Sequence, residues 1–182
     1  MTMLRLFFAL QPDAEQNAAL VEQVAPLVGR LQAQRVPPEN LHSTLCFVGA
    51  VAEEKLALLK SVAAGLHGRQ PTLRFDTLEF WQKPKVLCAT AGEDSAASPA
   101  RDLAERLAAS VVDAGFAPDI KPFRAHVTLA RKVHAERALE CEWPRVLVPP
   151  VRVHCERFML MRSDRGESGS IYSVVDSWPL DA

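Results

Sequence analysis

His42 and His126 open the same tetrapeptide, His-x-Thr-Leu, once as His42-Ser43-Thr44-Leu45 and again, 84 residues later, as His126-Val127-Thr128-Leu129. An imidazole has an ordinary pKa near 6.5, so of two such rings one can accept a proton while the other gives one up at neutral pH. A threonine hydroxyl can donate to an oxygen on which negative charge gathers. Two rings and two hydroxyls around one point therefore suit acid-base displacement at phosphorus. One ring would activate the attacking oxygen, the other would protonate the leaving oxygen, and the hydroxyls would hold the nonbridging oxygens. This arrangement calls for no metal.

Strand geometry gives the spacing its meaning, because residues two apart share a face and the residue between them points the other way. His42 lies with Thr44 and His126 with Thr128, while Leu45 and Leu129 anchor the opposite faces. Ser43 faces away from His42, which argues against it as a nucleophile. Cys46 and Ala130 come next on the offered faces, and their small size is expected to leave room for a ligand. One histidine on an apolar strand is usually a satisfied core residue, but the repetition of the whole tetrapeptide outweighs that reading. His67, His134 and His154 lack such a context and read as surface or structural residues. His134, Cys141, His154 and Cys155 are possible zinc ligands, yet their spacing matches no closed site, so no metal is expected.

Elements must carry these residues. Arg5 to Gln11 reads as a buried strand closed by Pro12-Asp13, and Leu20, Val24, Leu27, Val28 and Leu31 recur at helical spacing until Val36-Pro37-Pro38. Leu41 to Val48 is the first histidine strand and Ala52 to Leu66 a second helix. Strands are expected over Thr72 to Phe80 and Lys85 to Ala91, joined through Gln82-Lys83-Pro84. Gly92 to Pro99 reads as a loop, Ala100 to Ala114 as a helix capped by Gly115, and Phe123 to Lys132 as the second histidine strand. Ala135 to Pro150 is poorly periodic and reads as loop with room for short structure. Val151 to Met161 and Ile171 to Trp178 read as arms of a final hairpin around the charged run Arg162 to Gly169.

The composition bounds the partners. With 21 basic and 22 acidic residues the net charge is -1, which excludes a broad basic field, so any RNA contact must be local. Four cysteines without a CxxC pair are expected to be reduced thiols of a cytoplasmic protein. No stretch is apolar enough to suggest a membrane span, and the apolar N-terminal run reads as a strand, not a leader. A chain of 182 residues is long enough to bury a core as one unit.

The two tetrapeptides, with Arg5-Leu-Phe-Phe-Ala-Leu10, Pro122-Phe-Arg-Ala-His-Val-Thr-Leu-Ala-Arg131, Leu160-Met-Arg-Ser163 and Gly169-Ser-Ile-Tyr172, resemble the 2H phosphoesterase superfamily across almost the whole chain. Within it they look like the bacterial RNA 2',3'-cyclic phosphodiesterase branch, also labelled 2'-5' RNA ligase. The resemblance implies an α+β fold: one bilobal catalytic domain over 1–182, in which two pseudo-symmetric antiparallel sheets backed by helices flank a central cleft and each interleaved lobe supplies one histidine strand. It also implies hydrolysis of a 2',3'-cyclic phosphate on RNA 3' ends or nucleotides to a 2'-phosphomonoester, with no cofactor and no obligatory protein partner. His126 would then be the proton acceptor, His42 the proton donor, and Thr44 and Thr128 substrate ligands. Ligation of tRNA halves through a 2'-5' bond and mere binding of a nucleotide or RNA end are the alternatives.

Ala125 stands where the branch often has proline, which keeps the strand's parity. Arg131 matches an arginine common in the branch, but five residues from His126 it has the wrong parity for a regular strand and needs a bulge or the strand's end to turn it inward. Arg124 has the right parity and is its rival. Phe7 is a candidate for stacking on a substrate base, with core packing as the alternative for it, for Phe8 and for Tyr172. Lys83, Lys85, Arg162 and Arg165 either line a groove for RNA phosphates or are solvated charges.

Overall fold

The computed structural model describes residues 2–92, 98–166 and 169–182. Nine strands and four helices follow one another among them: β1 (Met3–Leu10), α1 (Ala14–Arg30), β2 (Gln34–Arg35), β3 (Ser43–Ala52), α2 (Leu56–Ala64), β4 (Thr72–Trp81), β5 (Val86–Ala91), α3 (Ser98–Asp113), β6 (His126–Arg131), α4 (Ala135–Leu139), β7 (Arg145–His154), β8 (Arg157–Gly166) and β9 (Gly169–Pro179). Local chemistry explains the main boundaries. Asp13 starts α1 with a capping box: its carboxylate accepts from the Gln16 backbone N–H at 2.8 Å, and the Gln16 side chain accepts from the Asp13 N–H at 2.9 Å. Leu20, Val24 and Val28 form the buried stripe of α1, and Ala100, Leu103, Ala104, Leu107 and Val111 that of α3. Beyond α3, Gly115 takes φ +85°, a conformation that a Cβ disfavours.

All strand pairings are antiparallel. One sheet has the order β3-β1-β8-β9 and the other β2-β6-β5-β4-β7, so the fold is α+β. The helices cross over between them: α1 leaves β1 of the first sheet to pack on β6 and β7 of the second, whereas α3 leaves β5 of the second to pack on β3 of the first. An offset of 84 residues carries α1 onto 98–114, against Ser98–Asp113 for α3, and carries the starts of β1 and β3 to within one residue of those of β5 and β6. The repetition seen in the tetrapeptides thus extends to a strand-helix-strand unit. β3 closes one edge of its sheet and β6 lies beside the two-residue edge strand β2 of the other; β3 and β6 are in contact where the sheets adjoin.

The C-terminal third departs most from the sequence reading. Ala135 to Pro150 holds more than a loop with short structure: besides the five-residue α4 it contains the first half of the long strand β7. Nor is Val151 to Met161 one arm of a hairpin, since the break at Cys155-Glu156 leaves Val151 in β7 of the second sheet and Met161 in β8 of the first. Pro149 and Pro150 disguise β7; they are tolerated because β7 is an edge strand, paired only with β4, and its outer side needs no donors. The strands β8 and β9 also run through most of the charged segment Arg162 to Gly169, of which 167–168 lie outside the described residues. In the expected loop Gly92 to Pro99, residues 93–97 lie outside the described residues, and Ser98 and Pro99 already belong to α3. The second histidine strand begins at His126, not Phe123, and the helix expected from Ala52 starts as a short 3-10 turn over Glu53–Lys55.

Candidate active site

His42 sits between the 3-10 turn Pro38–Asn40 and the start of β3, and His126 is the first residue of β6. Each ring is held the same way. The Nδ1 of His42 lies 2.7 Å from the carbonyl oxygen of Asn40, and that of His126 lies 2.8 Å from the carbonyl oxygen of Arg124, in both cases two residues upstream. A carbonyl oxygen can only accept, so Nδ1 carries the hydrogen in both rings and Nε2 is left for the reacting group. Asn40 is itself tied across the fold by a bond from its Nδ2 to the carbonyl of Ser170 in β9, 3.3 Å long.

The packing of the two rings differs. The ring of His42 meets Phe7 at 4.9 Å and stands edge-on to Tyr172 at 5.0 Å between centroids. His126 packs on Trp81 at 4.7 Å, and that indole is fixed by a 2.9 Å bond from its Nε1 to Glu79 Oε2. Glu79 also accepts from the Thr90 hydroxyl at 3.2 Å and pairs with Arg124, whose guanidinium lies over the Trp81 ring. One carboxylate therefore holds three groups around His126: the indole against its ring, the residue opposite it in β5, and the residue whose carbonyl binds Nδ1. Sequence reasoning missed Glu79 and Trp81, because their role arises only when β4 is laid two strands away from β6.

Burial lowers the pKa of both rings. For His42 desolvation brings it to about 4; the Asn40 carbonyl opposes this, while positive charge on Arg131 and on His126 adds to it. His126 is also lowered, first by burial and further by the charge of Arg124, against the opposing effects of the Arg124 carbonyl and the Glu79 carboxylate.

Both tetrapeptides contain a bulge at the same point. Phe8 pairs with Cys46 and Ala9 with Thr44, leaving Leu45 as the extra residue of β3; Leu87 pairs with Ala130 and Cys88 with Thr128, leaving Leu129 extra in β6. A bulge shifts side-chain parity by one. Cys46 and Ala130, expected on the offered face, are instead buried in the core, 5% and 0% exposed. The residues returned to the cleft are Phe47, which packs with Phe7, and Arg131. The structure thus supplies the bulge that an inward-facing Arg131 requires, and its guanidinium donates to the Tyr172 hydroxyl at 3.4 Å beside His42. Arg124 is paired with Glu79 and lies over the Trp81 ring.

Thr44 and Thr128 are partly exposed on the same faces as their histidines, with Thr128 Oγ1 3.7 Å from the Cys88 thiol. Phe7, at 2% exposure among His42, Phe47 and Tyr172, supports the histidine and has no face to offer a base. The four possible zinc ligands are engaged elsewhere or apart: His154 bonds Thr72 and Gln70, and Cys141 bonds the Arg137 carbonyl. Among the described residues no three His, Cys, Asp or Glu side chains gather as a metal site. Arg162 pairs with Asp164. Lys85, by contrast, lines an open cavity of about 860 Å³ that also includes Asn40, Arg131 and Tyr172 and so adjoins His42.

Known proteins resemble this chain in sequence and in fold. The model of the 2'-5' RNA ligase superfamily matches residues 11–167. The RNA 2',3'-cyclic phosphodiesterase of Thermus thermophilus is 31% identical over 97% of this chain and 90% of its own length, and that of Escherichia coli is 31% identical over 97% and 96%. The crystal structure of Escherichia coli LigT in apo form superposes with a TM-score of 0.80, at 25% identity and with all of both chains covered.

Proposed function

The chain belongs to the 2'-5' RNA ligase superfamily, and on that footing we propose that it is an RNA 2',3'-cyclic phosphodiesterase that leaves a 2'-phosphomonoester. The observation that carries the proposal is the pair of imidazoles, each with Nδ1 tied to a carbonyl and Nε2 left for reaction. His126 Nε2 takes a proton from water as the water oxygen bonds to phosphorus. The bond from phosphorus to the 3'-oxygen breaks, and that oxygen takes the proton of His42 Nε2. Thr44 and Thr128 donate to the nonbridging oxygens, and Arg131 adds a positive charge beside them.

Burial lowers the pKa of both rings in the free protein, so charging either of them is costly there. The reactive form, with the proton on His42, is a minority form until the phosphate anion binds and opposes the cost of charging a buried ring. The substrate thus brings His42 into its protonated state. The four cysteines are unpaired, in keeping with a reducing cytoplasmic setting, and no described helix is long and apolar enough to cross a membrane.

Incubation with 2',3'-cyclic AMP and identification of the product tests the proposal. The expected product is adenosine 2'-phosphate. Adenosine 3'-phosphate contradicts the direction of cleavage, joined RNA ends from tRNA halves would make the chain a ligase, and tight binding without turnover would make it a binding module.

A further inference from the structure

Each histidine is braced by an aromatic ring, but the two braces are anchored differently. Trp81 lies against His126, and its polar end is tied to Glu79 on the same strand, β4. Tyr172 of β9 stands edge-on to His42 at 5.0 Å and edge-on to Phe7 at 5.4 Å, and its polar end is tied outside its own sheet. The hydroxyl accepts from Arg131, the last residue of β6 in the other sheet, at 3.4 Å. Trp81 therefore braces one histidine from within a single sheet, whereas Tyr172 joins the two sheets beside the reaction centre.

The start of β9 bears on His42 a second time. The carbonyl of Ser170 accepts from the Nδ2 of buried Asn40, and the carbonyl of that same Asn40 holds His42 Nδ1. One strand thus fixes both the turn that selects the tautomer and the ring that packs beside it. Arg131 depends on β9 as well. Its side chain is exposed and lines the open cavity of about 860 Å³, and among the described residues the Tyr172 hydroxyl is its one side-chain hydrogen-bond partner. A guanidinium on a long flexible stem has many rotamers open to it in such a space, and a fixed acceptor removes most of that freedom.

We infer that Tyr172 is a positioning residue shared by the two histidine strands: its ring shields His42 from the open cavity, and its hydroxyl holds the Arg131 guanidinium beside the phosphate site. The inference rests on the hydrolase reading for what His42 and Arg131 do. It adds that one side chain of β9 sets the surroundings of the acid and the place of the cation together, so that the two sheets meet at the site in one fixed relation.

Two substitutions separate the two contacts. Tyr172→Phe keeps the ring and removes the hydroxyl. It should lower kcat/KM for 2',3'-cyclic AMP, and weaken the binding of adenosine 2'-phosphate, by about tenfold, the low end for a hydrogen bond to a charged group. The same substitution in an Arg131→Ala background should weaken that binding no further. Unchanged binding and kinetics in Tyr172→Phe, or an equal loss with Arg131 already removed, would overturn the inference.

Tyr172→Ala removes the ring as well. The pKa of His42 stands at about 4 through burial, with the positive charges of Arg131 and His126 on β6 adding to the effect and the Asn40 carbonyl opposing it. Its NMR titration should move up toward 6.5 in Tyr172→Ala, because water then reaches the ring, and should stay close to that of the parent chain in Tyr172→Phe. A brace that only stabilises the fold would lower the unfolding midpoint and leave the titration in place, so an unmoved His42 titration in Tyr172→Ala would also overturn the inference. The titration needs no turnover. A parent chain inactive on the cyclic nucleotide counts against the hydrolase reading alone, and the two can fail separately.

Discussion

The Nδ1 of His42 rests 2.7 Å from the carbonyl oxygen of Asn40, and this contact decides which nitrogen is left to react. His126 repeats it with Arg124 at 2.8 Å, in a sheet that shares no strand with the first. The backbone two residues upstream thus selects the tautomer in both half-sites, while different neighbours set their proton affinities: Phe7 and Tyr172 at His42, Trp81 and Glu79 at His126.

Both rings titrate below 6.5, His42 at about 4, and turnover needs one charged and one neutral ring. The plot of kcat/KM against pH, which reports the free protein, should therefore be a bell centred below 6.5. The bell for kcat should lie at higher pH, because bound phosphate raises the proton affinity of both rings. A rate that climbs steadily through pH 9 would contradict a two-histidine site.

The shift at His42 also bears on stability. Its folded pKa lies below the unfolded value of 6.5, so the unfolded chain takes up the proton first as pH falls, and stability present above 6.5 is lost on the way down to about 4. The loss from this residue alone is about 3 kcal/mol. Urea unfolding at pH 7 and pH 4.5 should show a smaller drop for His42→Gln than for the parent chain; identical drops would mean that His42 is not buried as described.

Glu79→Gln keeps the side-chain shape but removes the charge that favours protonated His126. The NMR titration of His126 should move to lower pH while that of His42 changes far less, and the kcat/KM bell should shift with it. A loss of activity with an unmoved His126 titration would reduce Glu79 to a structural brace.

Valine at Thr44 or Thr128 preserves the β-branched shape and removes the donor. Each substitution should lower kcat by about 10² to 10³, the usual effect of deleting one oxyanion donor. Unchanged kcat in both would remove the threonines from the site.

Much of this was legible in the sequence because period-two alternation puts His and Thr on one face and Leu on the other. The alternation also misled. It put Cys46 and Ala130 in the cleft, whereas bulges at Leu45 and Leu129 send them into the core and turn Phe47 and Arg131 inward. A bulge is a property of two paired strands, and neither Leu45 nor Leu129 signals one on its own. Glu79 lies 47 residues from His126 and approaches it only through β5. In β7, Pro149 and Pro150 interrupt the alternation by which a strand is recognised, and they sit on a sheet edge, where the missing donor costs nothing.

Turnover of 2',3'-cyclic AMP by His42→Ala and by His126→Ala, with each variant first shown by circular dichroism to be folded, tests the paired site most directly. The account predicts a loss of at least about 10² in kcat for each, the lower range for a general acid or base. Full turnover by either variant would contradict it.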